Sequence, residues 1–256
     1  MFYKISELKR NTNIGIILGT AKSVNNISQT EWDEINKCDN LGINNWFYHP
    51  TFIPKMCSLE LKSYDWQISK DRIAEKWDKG WKNVKWIISE KKHEYISGAI
   101  GHENEAQIYL YDFEIRDQKL HPKFVKNHKY NADFNPDVGP LVKSYDASLT
   151  TLVHLMYRLG YKYIILYGVD WTHSYYFWSS GDEIYGKTHC KTNKDHEGKD
   201  PKLPHNTEHV IDYIIDFNER HMKPQGREIL VGYKETRLYP HLNYIDVVNK
   251  EIHSRK

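Results

Sequence analysis

The sequence predicts an α/β fold with a mainly parallel central sheet flanked by helices, and two segments carry most of that prediction. In residues 13–23 the apolar run Ile14, Ile16, Ile17, Leu18 is followed by Gly19 and Thr20. In residues 160–171 the run Ile164, Ile165, Leu166 is followed by Gly168 and Asp170. Near-continuous apolar runs mark strands buried on both faces, and open α/β sheets hold their ligands at the carboxyl ends of such strands. Two strand ends of this kind imply one nucleotide-sized crevice. The third observation is that strand and helix patterns alternate along the chain without repeats or linkers.

Strands are expected over Ile14–Leu18, 40–47, 84–89, 107–113, 161–167, Glu228–Val231 and 244–247, and helices over 30–37, 69–78, 148–159 and 207–220. In the helix at 148–159, Leu149, Leu152, Val153, Met156 and Leu159 recur at three- and four-residue steps. Ser148 stands as its N-cap and Gly160 as its C-terminal stop. This helix, the strand after it and the loop at Gly168, Val169 and Asp170 make half of a crossover unit, which requires a parallel neighbour. Two stretches read as long loops or lids: 98–143, with one strand inside it, and 171–204, rich in Gly, Lys, Asp and His. The expected organisation is a single Rossmann-like domain over 1–256, with 171–204 as its lid.

With 256 residues, 39% of them hydrophobic and 14% aromatic, the chain can bury one large core. Its net charge of +2 is too near balance to argue for a nucleic-acid partner. Cys38, Cys57 and Cys190 are sparse and lack metal-like spacing, which points to a reduced, cytoplasmic setting. Residues 1–10 carry charges throughout, unlike a secretory signal, and no run approaches the ~20 apolar residues of a membrane span. A soluble protein is expected.

Backbone N–H groups at a strand-to-helix junction attract phosphate without any charged side chain. Gly15 and Gly19 do not form GxGxxG, residues 19–23 do not form GxxxxGK[ST], and an ordinary turn fits this segment equally. If the loop does hold phosphate, Gly19→Val is expected to remove nucleotide binding at moderate cost in stability. Asn44 and Asn45 offer paired amides for a base or sugar, or form a simple turn. Asp170 either binds a ribose hydroxyl or caps the next turn. His173, His189, Cys190 and His196 lack the tight pairs of a zinc site and read as lid composition. Asp-x-Asp pairs are missing from the sequence, so no metal or other cofactor is expected. Lys76, Lys79, Lys82 and Lys85 interleave with Trp77, Trp81 and Trp86, a pattern that suits an anionic polymer such as modified DNA.

Several motifs stand in a telling order. Gly19, Thr20, Ala21, Lys22 and Ser23 end the first strand, and Ile43, Asn44, Asn45, Trp46, Phe47 and Tyr48 end the second. Ala147, Ser148 and Leu149 open the helix that leads through Leu159, Gly160, Tyr161 and Lys162 to Gly168, Val169, Asp170 and Trp171. His205, Asn206, Thr207 and Glu208 open the last helix. This order resembles the bacterial sialyltransferases that cap lipooligosaccharides, and the related Rossmann-like proteins grouped with archaeal hydroxymethylpterin diphosphokinases.

The resemblance implies a metal-independent glycosyltransferase that moves a sugar from a nucleotide-sugar donor to the hydroxyl of a glycan or other acceptor. It implies a donor pocket of Gly19, Thr20, Ser23, Asn44, Asn45, Ser148, Gly168 and Asp170, with Tyr175 and Tyr176 at the departing phosphate and His205 as general base. A neutral imidazole suits that role, and a helix N-terminus just after His205 would hold its pKa down; read by itself, His205 is equally a surface residue in a Lys-Pro loop. The sequence departs from the family's pattern at Thr20 and Ala21 (Asn and Gly in the family), at Leu149 (Gly), at Tyr145 (Arg, with Lys143 nearby) and at Thr172 (Tyr). These departures leave the nucleotide and the sugar open. Three other readings remain: a pterin or nucleotide pyrophosphotransferase using Mg²⁺ with Asp170, Asp182 and Glu183, a glycosyltransferase acting on a hydroxymethylated DNA base, and a non-catalytic nucleotide-binding module.

Overall fold

The computed structural model describes residues 2–60, 66–92, 98, 100, 105–116, 135–144, 147–171, 177 and 207–253. Its strands are β1 (Phe2–Lys4), β2 (Ile14–Leu18), β3 (Asp39–Ile43), β4 (Met56–Leu59), β5 (Lys85–Ser89), β6 (Gln107–Tyr111), β7 (Phe113–Arg116), β8 (Leu141–Ser144), β9 (Tyr163–Tyr167), β10 (Glu228–Val231), β11 (Tyr244–Asp246) and β12 (Glu251–His253). The helices are α1 (Gln29–Lys37), α2 (Trp66–Lys76), α3 (Ser148–Arg158) and α4 (Thr207–Phe217). Among the described residues, ten strands form one sheet in the order β1-β6-β5-β4-β3-β2-β9-β10-β11-β12, and β7 pairs with β8 in a second, two-stranded sheet. Every pairing is parallel except β11 with β12.

The apolar runs follow from burial on both faces. Successive residues of a strand point to opposite sides, so Ile17, Ile164, Leu166 and Ile229 pack on one face with α3 and α4. Ile16, Leu18, Ile165, Tyr167 and Leu230 pack on the other, with Ile35 of α1 and Ile73 of α2. The result is the helix-sheet-helix sandwich that the sequence implied. Among the described residues no helix is long and apolar enough to cross a membrane.

Several local expectations change. The strand expected at 40–47 stops at Ile43, because Asn44 takes a φ of 51° and the next four residues coil into a 3-10 turn. The strand expected at 107–113 divides at Asp112, where the chain leaves the large sheet to start β7. The stretch 98–143, read as a loop with one strand, contains β6, β7 and most of β8. Ser148 is not the N-cap of α3: Ala147 is, and Ser148 lies inside the first turn with its hydroxyl turned elsewhere. Gly160 does stop that helix. At φ 80° it donates to Tyr157 O, while Tyr161 N–H reaches Met156 O, the paired bonds of a Schellman ending. Trp77, Trp81 and Trp86 are buried core residues, so they are not available to stack on bases and the aromatic argument for DNA falls away.

One core group makes stability depend on pH. His49 is buried against Trp46, and its Nδ1 accepts from Phe52 N–H at 2.9 Å. Burial, with Lys76 adding to it, lowers the imidazole pKa to about 4. The folded protein therefore keeps this ring neutral where the unfolded chain already binds a proton. Stability is expected to be full above pH ~6.5 and to fall by roughly 3 kcal/mol as pH drops to ~4. Urea midpoints across that range should show the loss for wild type and a shallower slope for His49→Gln; identical slopes would refute the assignment.

Candidate functional site

The sheet order places the site. Strands run outward from β2 in one direction as β3, β4, β5 and β6, and in the other direction as β9 and β10, so the order reverses between β2 and β9. Ligands of open α/β sheets bind beyond the carboxyl ends of the strands at such a switch point. These are the ends that carry Gly19 and Gly168.

The two loops lock together before any ligand is considered. Gly19 N–H donates to Tyr167 O at 2.7 Å, and Ala21 N–H donates to Gly168 O at 3.0 Å. A Cβ on Gly19 would lie 2.3 Å from Gly168 O, and one on Gly168, whose φ is 64°, would lie 2.5 Å from Gly19 O. The glycine at position 19 is thus required by backbone approach between two loops, a reason independent of phosphate. The short 3-10 helix Lys22–Asn26 follows, and its Ser23 donates through both N–H, at 3.0 Å, and Oγ to the Asp170 carboxylate. Asp170 is 3% exposed and serves as a buried strut between the loops. Among the described residues its carboxylate is engaged by the turn that follows β2, not by the turn after Asp170 itself.

A further loop clamps the β9 end from the other side. Thr236 Oγ1 donates to Val169 O, and Arg237 N–H donates to Asp170 O at 3.0 Å. The Arg237 side chain pairs with Glu208 in the first turn of α4. This chain of contacts ties the start of α4 to the β9 loop. Thr20, half-buried, accepts from Phe177 N–H at 3.0 Å, and Asn25 Nδ2 donates to Phe177 O at 2.8 Å. Within 171–204, Phe177 is therefore anchored to the β2 loop, with its ring 5.2 Å from that of Trp46.

The β3 and β4 ends add a polar cluster. Asn44 N–H donates to Ser58 O at 2.6 Å, and its Oδ1 accepts from Glu60 N–H at 3.1 Å. Glu60, just past β4, is a hub that the sequence reading missed. Its Oε2 accepts from Lys143 Nζ and from Ser148 Oγ, each at 2.7 Å, and its Oε1 accepts from Tyr111 at 3.3 Å. Lys143 is 5% exposed, so this is a buried ion pair. Burial and the adjacent Glu60 push the Tyr111 phenol well above its ordinary pKa, keeping it a proton donor to the carboxylate. Asn45 is half-buried beside Asn44 in the 3-10 turn.

The structure thus gathers Gly19, Thr20, Ser23, Asn44, Asn45, Ser148, Gly168 and Asp170 along the carboxyl ends of β2, β3, β4 and β9. Ser148 reaches this row through Glu60, and Asp170 faces Ser23. His205, Tyr175, Tyr176, His173, His189, Cys190 and His196 lie outside the described residues, as do Asp182 and Glu183. Among the described residues no group of three or more His, Cys, Asp or Glu side chains is placed to hold a metal ion.

No family model and no curated protein matches this sequence. Solved structures do. The chain aligns over 97% of its length, and 86% of the other chain, with the monofunctional alpha-2,3-sialyltransferase Cst-I from Campylobacter jejuni, at 15% identity and a TM-score of 0.52. An alpha-2,3-sialyltransferase from Campylobacter jejuni in apo form aligns over 97% and 87% at 13% identity, with a TM-score of 0.49. The chain therefore has the α/β fold of the first of these enzymes, a large mainly parallel sheet flanked by helices, as the order of its motifs implied.

Proposed function

We propose that this chain is a glycosyltransferase that moves a sugar from a nucleotide-sugar donor to an acceptor hydroxyl, built as one Rossmann-like domain over 1–256 with residues 171–204 as a lid. The observation that carries the proposal is the likeness in fold, over 97% of the chain, to a sialyltransferase. The tie between Glu208, Arg237 and Asp170 adds to it. That tie holds the first turn of α4 beside the β9 loop, and His205 lies two positions before this helix in the sequence.

In this reading the donor nucleotide lies across the switch point, with its phosphate toward the loop after β2 and Ser148 and its base or sugar toward Asn44 and Asn45. The acceptor oxygen forms its bond to the anomeric carbon while His205 takes the hydroxyl proton. The bond from that carbon to the phosphate oxygen breaks, and its electron pair stays on the phosphate. Tyr175 and Tyr176 donate hydrogen bonds to the departing phosphate, preorganised stabilisation of developing charge. The reaction as written calls on no metal ion.

Thermal unfolding against a panel of nucleotides and nucleotide sugars, with and without EDTA, tests the reading. At least one nucleotide sugar at about 100 times its Kd should stabilise the fold by ~2.7 kcal/mol, and the same compound should be hydrolysed slowly without acceptor, EDTA or not. Turnover that vanishes with EDTA would favour a pyrophosphotransferase instead. Binding without turnover of any nucleotide sugar would leave a binding module.

A further inference from the structure

A groove lies away from the switch-point loops, where the segment between β1 and β2 meets the start of β8 and the end of α3. There Arg10 donates to Gly160 O, joining the segment ahead of β2 to the turn that ends α3. The groove beside this contact has a volume of about 500 Å³, within the range of small-molecule sites. Its floor is aliphatic: Leu8, Leu141 and Leu155 are buried, and Leu159 is half-buried. Its rim is cationic, formed by Lys9, Arg10 and Arg158.

The three cations are not equivalent. Arg158 spends its guanidinium on the carbonyls of Pro136, Val138 and Gly139, so it contributes charge but little hydrogen bonding. Asp137 is the acid whose charge reaches it. Arg10 has committed one of its five N–H donors. Lys9 is exposed and makes no hydrogen bond among the described residues. None of the three forms an ion pair among the described residues. An apolar floor beneath unspent cationic donors is complementary to a ligand that is aliphatic at one end and anionic at the other. An inorganic anion would use only the rim, where solvent screens the attraction. A bilayer engages apolar side chains that protrude, whereas these leucines form a recessed floor.

We propose that this groove binds a free single-chain anionic amphiphile, its alkyl chain on Leu8, Leu141, Leu155 and Leu159 and its head group at Lys9 and Arg10. The site is separate from the switch-point crevice and does not rest on the glycosyltransferase reading. Calorimetry with decyl phosphate below its micelle concentration tests it on the full chain, with inorganic phosphate, decanol and anionic phospholipid vesicles as the other arms. Decyl phosphate should bind saturably at a single site, and phosphate and decanol each at least about tenfold more weakly, since each supplies half of the contacts. Lys9→Gln combined with Arg10→Gln should weaken decyl phosphate about tenfold, and so should Leu159→Glu, which places a carboxylate in the half-exposed mouth. Circular dichroism establishes that the variants are folded, and loss of either fold leaves the other variant to decide. Equal affinity for inorganic phosphate, unchanged affinity in the folded variants, or binding to vesicles without binding of the free amphiphile would each overturn the proposal.

Discussion

Gly19→Val is expected to remove most of the stability of the fold, and with it any ligand binding. A Cβ at this position would stand 2.3 Å from Gly168 O and 2.8 Å from Val169 Cγ2, and the nearest obstacle is backbone that belongs to a paired strand end. Neither loop can retreat: Gly19 N–H holds Tyr167 O, and Ala21 N–H holds Gly168 O. Forced overlap of this kind belongs to the few mechanisms that cost more than ~4 kcal/mol, against total stabilities of ~5–15 kcal/mol. This replaces the expectation from sequence, in which the valine acted on a phosphate at only moderate cost in stability. Gly168→Ala should behave alike, because its Cβ would meet Gly19 O and Val24 Cγ2 at 2.5 Å from a φ of 64°. Gly139→Ala is the control: its φ is 75° but a Cβ there meets nothing within 4 Å, so only conformational strain remains, roughly 1–2 kcal/mol. Urea midpoints decide the matter, and a Gly19→Val protein with a wild-type midpoint would refute the close approach of the two loops.

His205→Ala is expected to lower turnover by ~10²–10⁴ while leaving donor affinity nearly constant, since loss of general-base assistance acts on the chemical step. His209, half-buried in the first turns of α4, is the internal control and should tolerate the same change. Single-turnover rates together with donor titrations separate the two effects. Near-normal transfer by the His205 variant, or dependence on His209 instead, would require another base and would undo the assignment made from the order of motifs.

What was legible in the sequence is what local pattern controls. Ile14–Leu18 and Glu228–Val231 are found within the bounds expected, because an apolar run buried on both faces needs no partner to be recognised. The two runs with glycine ends lie side by side, β2 paired with β9, but the reversal of strand order between them is visible only in the sheet. β4 escaped notice because Met56, Cys57, Ser58 and Leu59 include no β-branched or aromatic residue, although all four are buried. Glu60 escaped for a different reason. Its partners Lys143 and Ser148 are 83 and 88 positions away, and no local spacing announces a pair that only the fold assembles. Ser148 illustrates the same limit: its type and place suggested a cap, and a distant carboxylate claimed its hydroxyl.

The reversal of strand order at β2 also governs how the chain can be assembled. β3 pairs with β2 soon after it in the chain, but β9 does so only after more than half of the protein has been made, and the bond from Ser23 to Asp170 spans 147 positions. Non-local pairings of this kind form slowly, since a long loop must close before any contact rewards it. During synthesis the inner edge of β2 therefore stands bare, an apolar strand with unpaired N–H and C=O groups, the kind of edge on which chains aggregate. Until β9 arrives, the edge of β2 that it later covers is one on which the nascent chain can misassemble.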